Sequence, residues 1–206
     1  LHHEFKPVYP GFENIKRYWD RNREIVVAKI LPGEFYVTKQ NEVISTVLGS
    51  CISACVYDGV MGIGGMNHFM LPVNKSAELG SVEDQLSCRY GNWAMEFLIN
   101  EIVKNGGNRK NLKVKLFGGG QIIKSMTNVG EGNIKFASAY LKQEGLSVDS
   151  HDVGGPWPRK VLFYPETGKA QVKKLRSMHN DTIQQRENKY LHEIEEQDTH
   201  TDIELF

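Results

Sequence analysis

Short apolar runs separated by glycine or proline fill most of this chain. From Ile25 onward, IVVAKILPGEFYVT, EVISTVLGS and CISACVYDGVMGIGGMNHFMLP are rich in β-branched and aromatic residues, a texture that predicts strands. The period then changes. In RYGNWAMEFLINEIVK (89–104), Trp93, Phe97, Leu98 or Ile99, and Ile102 recur every three or four positions, and Gly106 and Gly107 stop the run, which predicts a helix. LKVKLFGGG alternates again and ends in a glycine turn, and NIKFASAYLKQE (133–144) returns to helical spacing with Gly145 beyond it. LSVDSHDVGG and RKVLFYPETGKAQVKKL read as strands, with a turn at Pro-Glu-Thr-Gly.

The two ends differ from this middle. Residues 1–24 are aromatic and charged and carry Pro7, Pro10 and Gly11, so they read as an arm laid on the domain, with a short helix expected around 12–21. After Arg176 the composition turns polar, with Ile183, Tyr190, Leu191 and Ile194 as sparse apolar points; a mobile or peripheral helix and an acidic tail are expected there. The division is therefore an arm over 1–24, a domain over 25–176 and a polar helix and tail over 177–206. Strands at both ends of the domain with two main helices between them predict an α+β fold, a layered α/β sandwich of mixed β-sheets in a single domain. A chain of 206 residues that is 40% hydrophobic can fill one good core.

Composition removes several function classes. Lys and Arg total 25, as do Asp and Glu, so no overall field draws the protein to nucleic acid. There is no apolar signal core and no run long enough to span a membrane, so the protein is expected in the cytoplasm with no membrane insertion. Cys51, Cys55 and Cys88 are an odd set without an export signal, and reduced thiols are expected. Cys51 and Cys55 are not followed by a second close pair of Cys or His, so neither a metal nor another cofactor is expected.

The chemistry concentrates at STVLGSC. This segment ends a predicted strand in a Gly-Ser turn and presents Cys51 at the start of the next strand. Gly49 permits close approach of a substrate, and the amides around Ser50 and Cys51 are candidates to hold an oxyanion. His68 follows in GIGGMNHF, and two strands joined by DGVMG should pair as a hairpin that brings Cys51 and His68 face to face. An imidazole beside a thiol withdraws its proton and yields a nucleophilic thiolate. Asn67 flanks His68 as a further oxyanion or substrate-positioning candidate, although strand alternation turns it away from the His68 face. Cys55 projects on the Cys51 side farther along and reads as packing. Gly118–Gly120 lack the Lys-Ser/Thr of a phosphate loop and read as a tight turn.

STVLGSCISACVYD, GIGGMNHFMLP, KLFGGG, VGEGN, DVGG and KVLFYPETGKAQVKKL occur in the order seen in the chemoreceptor glutamine deamidase family, CheD, and the resemblance covers about residues 29–175. It implies a cysteine hydrolase that converts glutamines of methyl-accepting chemotaxis receptors to glutamates, with Cys51 as nucleophile, His68 as base and a thioester intermediate. It also implies a hydroxyl residue six positions before the cysteine. Counting back gives Ser45, with Thr46 next to it as the alternative; alternation allows only one of them beside His68, and spacing favours Ser45. Gly132 in VGEGN departs from the family's usual larger residue, often arginine. In some bacteria this family docks to a CheC-type phosphatase, so a regulatory binding role is the first alternative. A thiol hydrolase acting on another acyl substrate is the second.

Overall fold

The computed structural model describes residues 5–72, 82–122, 129–176 and 181–200. Among these residues ten strands and three α-helices follow in the order β1 Lys16–Asp20, β2 Ile25–Lys29, β3 Phe35–Thr38, β4 Glu42–Leu48, β5 Ile52–Asp58, β6 Ile63–Asn67, α1 Val82–Lys104, β7 Lys113–Gly118, α2 Val129–Gln143, β8 Val148–Val153, β9 Arg159–Tyr164, β10 Lys169–Lys174 and α3 Asp181–His200. The strands form two five-stranded sheets, β1-β2-β4-β9-β10 and β3-β6-β5-β7-β8. Each is mixed: β2 runs parallel to β4, β7 runs parallel to β8, and the remaining pairs are antiparallel. This is the single-domain α+β sandwich that the sequence predicts.

The layers follow from which faces are apolar. On β4, Ile44 and Leu48 enter the main core, whereas Val43 belongs to a second cluster with Val27 and Leu162. On β5 every residue is buried, because the strand is covered on both faces. Tyr57 of β5 meets Phe163 of β9 edge to face across the sandwich, with centroids 6.2 Å apart. On the opposite side of this sheet α1 packs over β3 and β6 and α2 over β5. The helix predicted at 89–104 begins earlier, at Val82, and α2 includes the VGEGN segment at its start.

Both chain ends differ from expectation. The helix expected around 12–21 is not formed; KRYWD is the edge strand β1, paired along its length with β2. Tyr and Trp suit a strand, and Arg17 is held by an ion pair to the buried Glu42. Phe12 enters the core against Phe35 and Tyr36. At the other end α3 does form, but its sparse apolar points are buried: Tyr190, Leu191 and Ile194 join the main core and Ile183 packs with Ile122. The acidic tail after 200 lies outside the described residues. Among the described residues no helix is long and apolar enough to cross a membrane.

Candidate active site

Cys51 ends the Gly49-Ser50-Cys51 turn between β4 and β5 and is fully buried. Three hydrogen bonds hold the turn from behind. Gly120 N–H donates to Gly49 O at 2.7 Å, Asn133 Nδ2 donates to Ser50 O at 2.9 Å, and Gly119 N–H donates to Cys51 O at 2.7 Å. In a trans peptide the carbonyl and the following N–H point in opposite directions. Pinning Gly49 O and Ser50 O therefore turns the Ser50 and Cys51 N–H groups to the other side, where the Gly49 N–H joins them. All three converge on the carboxylate of Glu187 in α3, at 2.8 Å from Gly49, 2.9 Å from Ser50 and 3.2 Å from Cys51. Convergent amides of this kind form a seat for an anion.

Glycine is required on both sides of this seat. A Cβ on Gly49 would lie 2.1 Å from Ile122 Cδ1 and 2.8 Å from each Glu187 carboxylate oxygen. Gly118 has a φ of +112°, and a Cβ there would lie 2.2 Å from Cys51 O. The Gly118–Gly120 segment is thus the support of the Cys51 turn, a role in keeping with a tight turn.

His68 follows β6. Its N–H donates to Glu34 O at 2.9 Å and its carbonyl accepts from Gly33 N–H at 2.8 Å, so the β2–β3 turn clamps its backbone. Reciprocal Ile52–Phe69 backbone bonds of 2.8 and 3.0 Å set the register that brings Cys51 beside it. The imidazole is buried, with Nδ1 2.7 Å from Thr46 Oγ1. The Thr46 hydroxyl donates its single hydrogen to Ile30 O at 2.8 Å, so toward His68 it accepts from Nδ1–H. That bond selects the tautomer whose lone pair is on Nε2, and Nε2 has no hydrogen-bond partner among the described residues. Burial, then the charge of Arg186, pulls the His68 pKa down to about 3, so the ring is neutral. Burial, then the Glu187 charge, pushes the Cys51 thiol well above its ordinary value.

Of the residues singled out by sequence, the structure brings Cys51, His68, Gly49 and Ser50 together. Ser45 is not with them. Thr46 shares the inward face of β4 with Ile44 and Leu48, while Ser45 lies on the opposite face, beside Val43 in the strand order. The expectation that Ser45 bonds the imidazole is therefore corrected to Thr46. Asn67 is also corrected as an oxyanion candidate: its Oδ1 accepts from Ala54 N–H at 2.8 Å and its Nδ2 donates to Ala94 O at 3.1 Å, bracing β5 against α1. Cys55 packs in the core and Cys88 is exposed on α1.

Two contributors escaped the sequence reading. Glu187 was one polar residue in a polar helix. Asn133 lay within the VGEGN motif but had no assigned task; its Oδ1 also accepts from Leu71 N–H at 2.8 Å, so one side chain spans a buried and a part-buried backbone group. Asn133→Ala should leave both unpaired, lowering stability by about 1–3 kcal/mol in chemical denaturation. An unchanged midpoint would contradict this bracing role.

Cys51, His68 and Glu187 place a sulfur, a ring nitrogen and a carboxylate oxygen within 4.8 Å of one another, a spacing that raises metal binding. The carboxylate argues against it. Oε1 accepts from Gly49 and Cys51, and Oε2 accepts from Ser50 N–H and from Ser50 Oγ at 2.5 Å, which commits all of its lone pairs. The donor set instead fits acyl transfer: a thiol, a base with one open lone pair, a hydroxyl that orients the base and an amide seat for a developing oxyanion.

Comparison with known proteins identifies the family. Residues 70–174 match the family model described as CheD chemotactic sensory transduction, a span that includes Gly118–Gly120 and Asn133. The match with full-length relatives extends across Thr46, Cys51 and His68. A protein of Halorhodospira halophila named "probable chemoreceptor glutamine deamidase CheD" is 54% identical over 96% of this chain and 92% of its own length. Proteins with the same name from Hahella chejuensis and Saccharophagus degradans are 51% and 45% identical, covering 96% and 98% of this chain and 93% and 94% of their own lengths. By this shared sequence, the chain belongs to the CheD family.

Proposed function

We propose that the protein is a cysteine-dependent hydrolase that deamidates glutamine side chains of chemoreceptors, acting in the cytoplasm through a thioester. The relatives' names supply the substrate class, and the convergence of three N–H groups beside Cys51 and His68 carries the chemistry. His68 Nε2 takes the Cys51 proton as Sγ attacks the glutamine Cδ. The Gly49, Ser50 and Cys51 N–H groups hold the tetrahedral oxyanion. His68 then returns the proton to the departing ammonia, and water deprotonated by His68 hydrolyses the thioester to leave glutamate. Thr46 acts through His68 as a positioning residue.

The reading is tested with cytoplasmic chemoreceptor fragments, following ammonia release and mass gain at receptor glutamines together. Equal yields of ammonia and new glutamate are expected. Binding of the fragments with no conversion would instead favour a regulatory role, such as one exercised on a CheC-type phosphatase. Hydrolysis of other acyl groups with receptor glutamines untouched would favour a different thiol hydrolase.

A further inference from the structure

Glutamate is what deamidation of glutamine leaves behind, and the amide seat beside Cys51 is filled by a glutamate side chain of the same chain. Glu187 is 1% exposed. Its carboxylate receives four donors from Gly49, Ser50 and Cys51 and lies against both Cys51 and His68. No incoming side chain can reach the seat while it is there. The rest of α3 is built to keep it there. Ile183, Tyr190, Leu191 and Ile194 fall four positions before and three, four and seven after Glu187, on one helical face, and all are buried. Gln184 Nε2 adds a bond of 2.7 Å to Ile122 O, and the Tyr190 hydroxyl bonds that of Tyr90 on α1.

We propose that α3 is a built-in product mimic: Glu187 occupies the seat of the reacting side chain, and α3 covers the place where the substrate's glutamine must enter. The inference rests on the deamidase reading above. It adds a condition for turnover, that α3 must leave. As a tethered competitor α3 acts at an effective concentration of the millimolar order, so substrate must displace it. Burial first, and the Glu187 charge after it, hold the Cys51 thiol above its ordinary value, in keeping with this resting state.

The seat also predicts a reaction on the chain itself. In Glu187→Gln the new side chain has the same length; its oxygen takes the Gly49 and Cys51 N–H groups, and its NH2 stands in the place of Oε2, donating to Ser50 Oγ, which turns its hydrogen away, and leaving the Ser50 N–H without that acceptor until the oxyanion forms. Sγ of Cys51 bonds to the amide carbon, the C–N bond breaks, and ammonia leaves with the proton relayed by His68. Water then cleaves the thioester, restoring the thiol and a carboxylate at 187; the balance is amide plus water to carboxylate plus ammonia.

The full-length Glu187→Gln protein is purified, and the peptide containing position 187 is weighed over time. A Cys51-dependent gain of about 1 Da is expected as amide becomes acid, absent from the Glu187→Gln/Cys51→Ala double variant. In parallel, Glu187→Ala should convert receptor fragments roughly fivefold faster or more, and its Cys51 should be alkylated faster by iodoacetamide. A peptide that keeps its amide, or gains mass equally in the double variant, overturns the product mimic if the protein still converts receptor fragments. Unchanged rates in Glu187→Ala overturn it as well. Conversion of neither peptide nor receptor overturns both this inference and the deamidase reading.

Discussion

Cys51→Ala should reduce receptor glutamine conversion by about 10³-fold or more while the protein remains folded. The chemistry makes the loss large: without Sγ no thioester forms, and the amide seat is left to assist only a direct attack by water. The fold should survive because Cys51 is placed by its backbone. Its carbonyl is held by Gly119 and its N–H by Glu187, and neither bond involves the thiol. Removing one sulfur from a packed site costs about 1–2 kcal/mol, offset in part by relief of a thiol facing a carboxylate. His68→Ala should lose activity on the same scale, and the Cys51→Ala/His68→Ala double variant should be little worse than either single, because nucleophile and base act as one unit. Conversion followed by mass spectrometry, with melting curves as the control for folding, checks the set. A folded Cys51→Ala protein within tenfold of the parent rate would remove Cys51 as the nucleophile.

What the sequence reveals about this site tracks the range of the interactions involved. Cys51 and His68 could be paired on paper because both lie at the ends of adjacent strands joined by a short turn, and the β5–β6 hairpin delivers them as that topology requires. Asn133 could be noticed only as part of a motif. Its partner, Ser50 O, is 83 positions away and is selected by how α2 docks on β5. Glu187 is farther still, 137 positions from Ser50, and a carboxylate in a polar helix carries no local sign that three amides await it. The strands and the two central helices were legible from period alone. β1 was not, because an edge strand of aromatic and charged residues gains its hydrogen bonds from β2 rather than from any local pattern.

The choice between Ser45 and Thr46 shows the same limit at the scale of one residue. Alternation dictates that only one of them faces inward, but EVISTVL is apolar on both faces because both are covered, Ile44 and Leu48 by the main core and Val43 by the second cluster. With no polar face to mark the outside, the phase of the strand could not be read, and spacing from Cys51 favoured the wrong neighbour. The structure therefore predicts opposite outcomes for the two hydroxyls. Thr46→Val keeps the side chain's shape but removes the acceptor for His68 Nδ1–H and the donor to Ile30 O. The ring loses its preference for the tautomer with an open Nε2, and kcat should fall about 10²-fold, less than the loss of a charged triad carboxylate. Because Thr46 touches His68 and not the substrate, KM should stay near the parent value. Thr46→Ser restores the hydroxyl and should recover most of kcat, which separates orientation of the base from packing of a methyl group. Ser45→Ala should remain within about twofold of the parent, since a hydroxyl on the far face of β4 has no route to the imidazole. Steady-state rates on receptor fragments for the four proteins decide the matter: a Ser45→Ala loss larger than that of Thr46→Val would return the third position to Ser45, and failure of Thr46→Ser to recover kcat would reduce Thr46 to a packing residue.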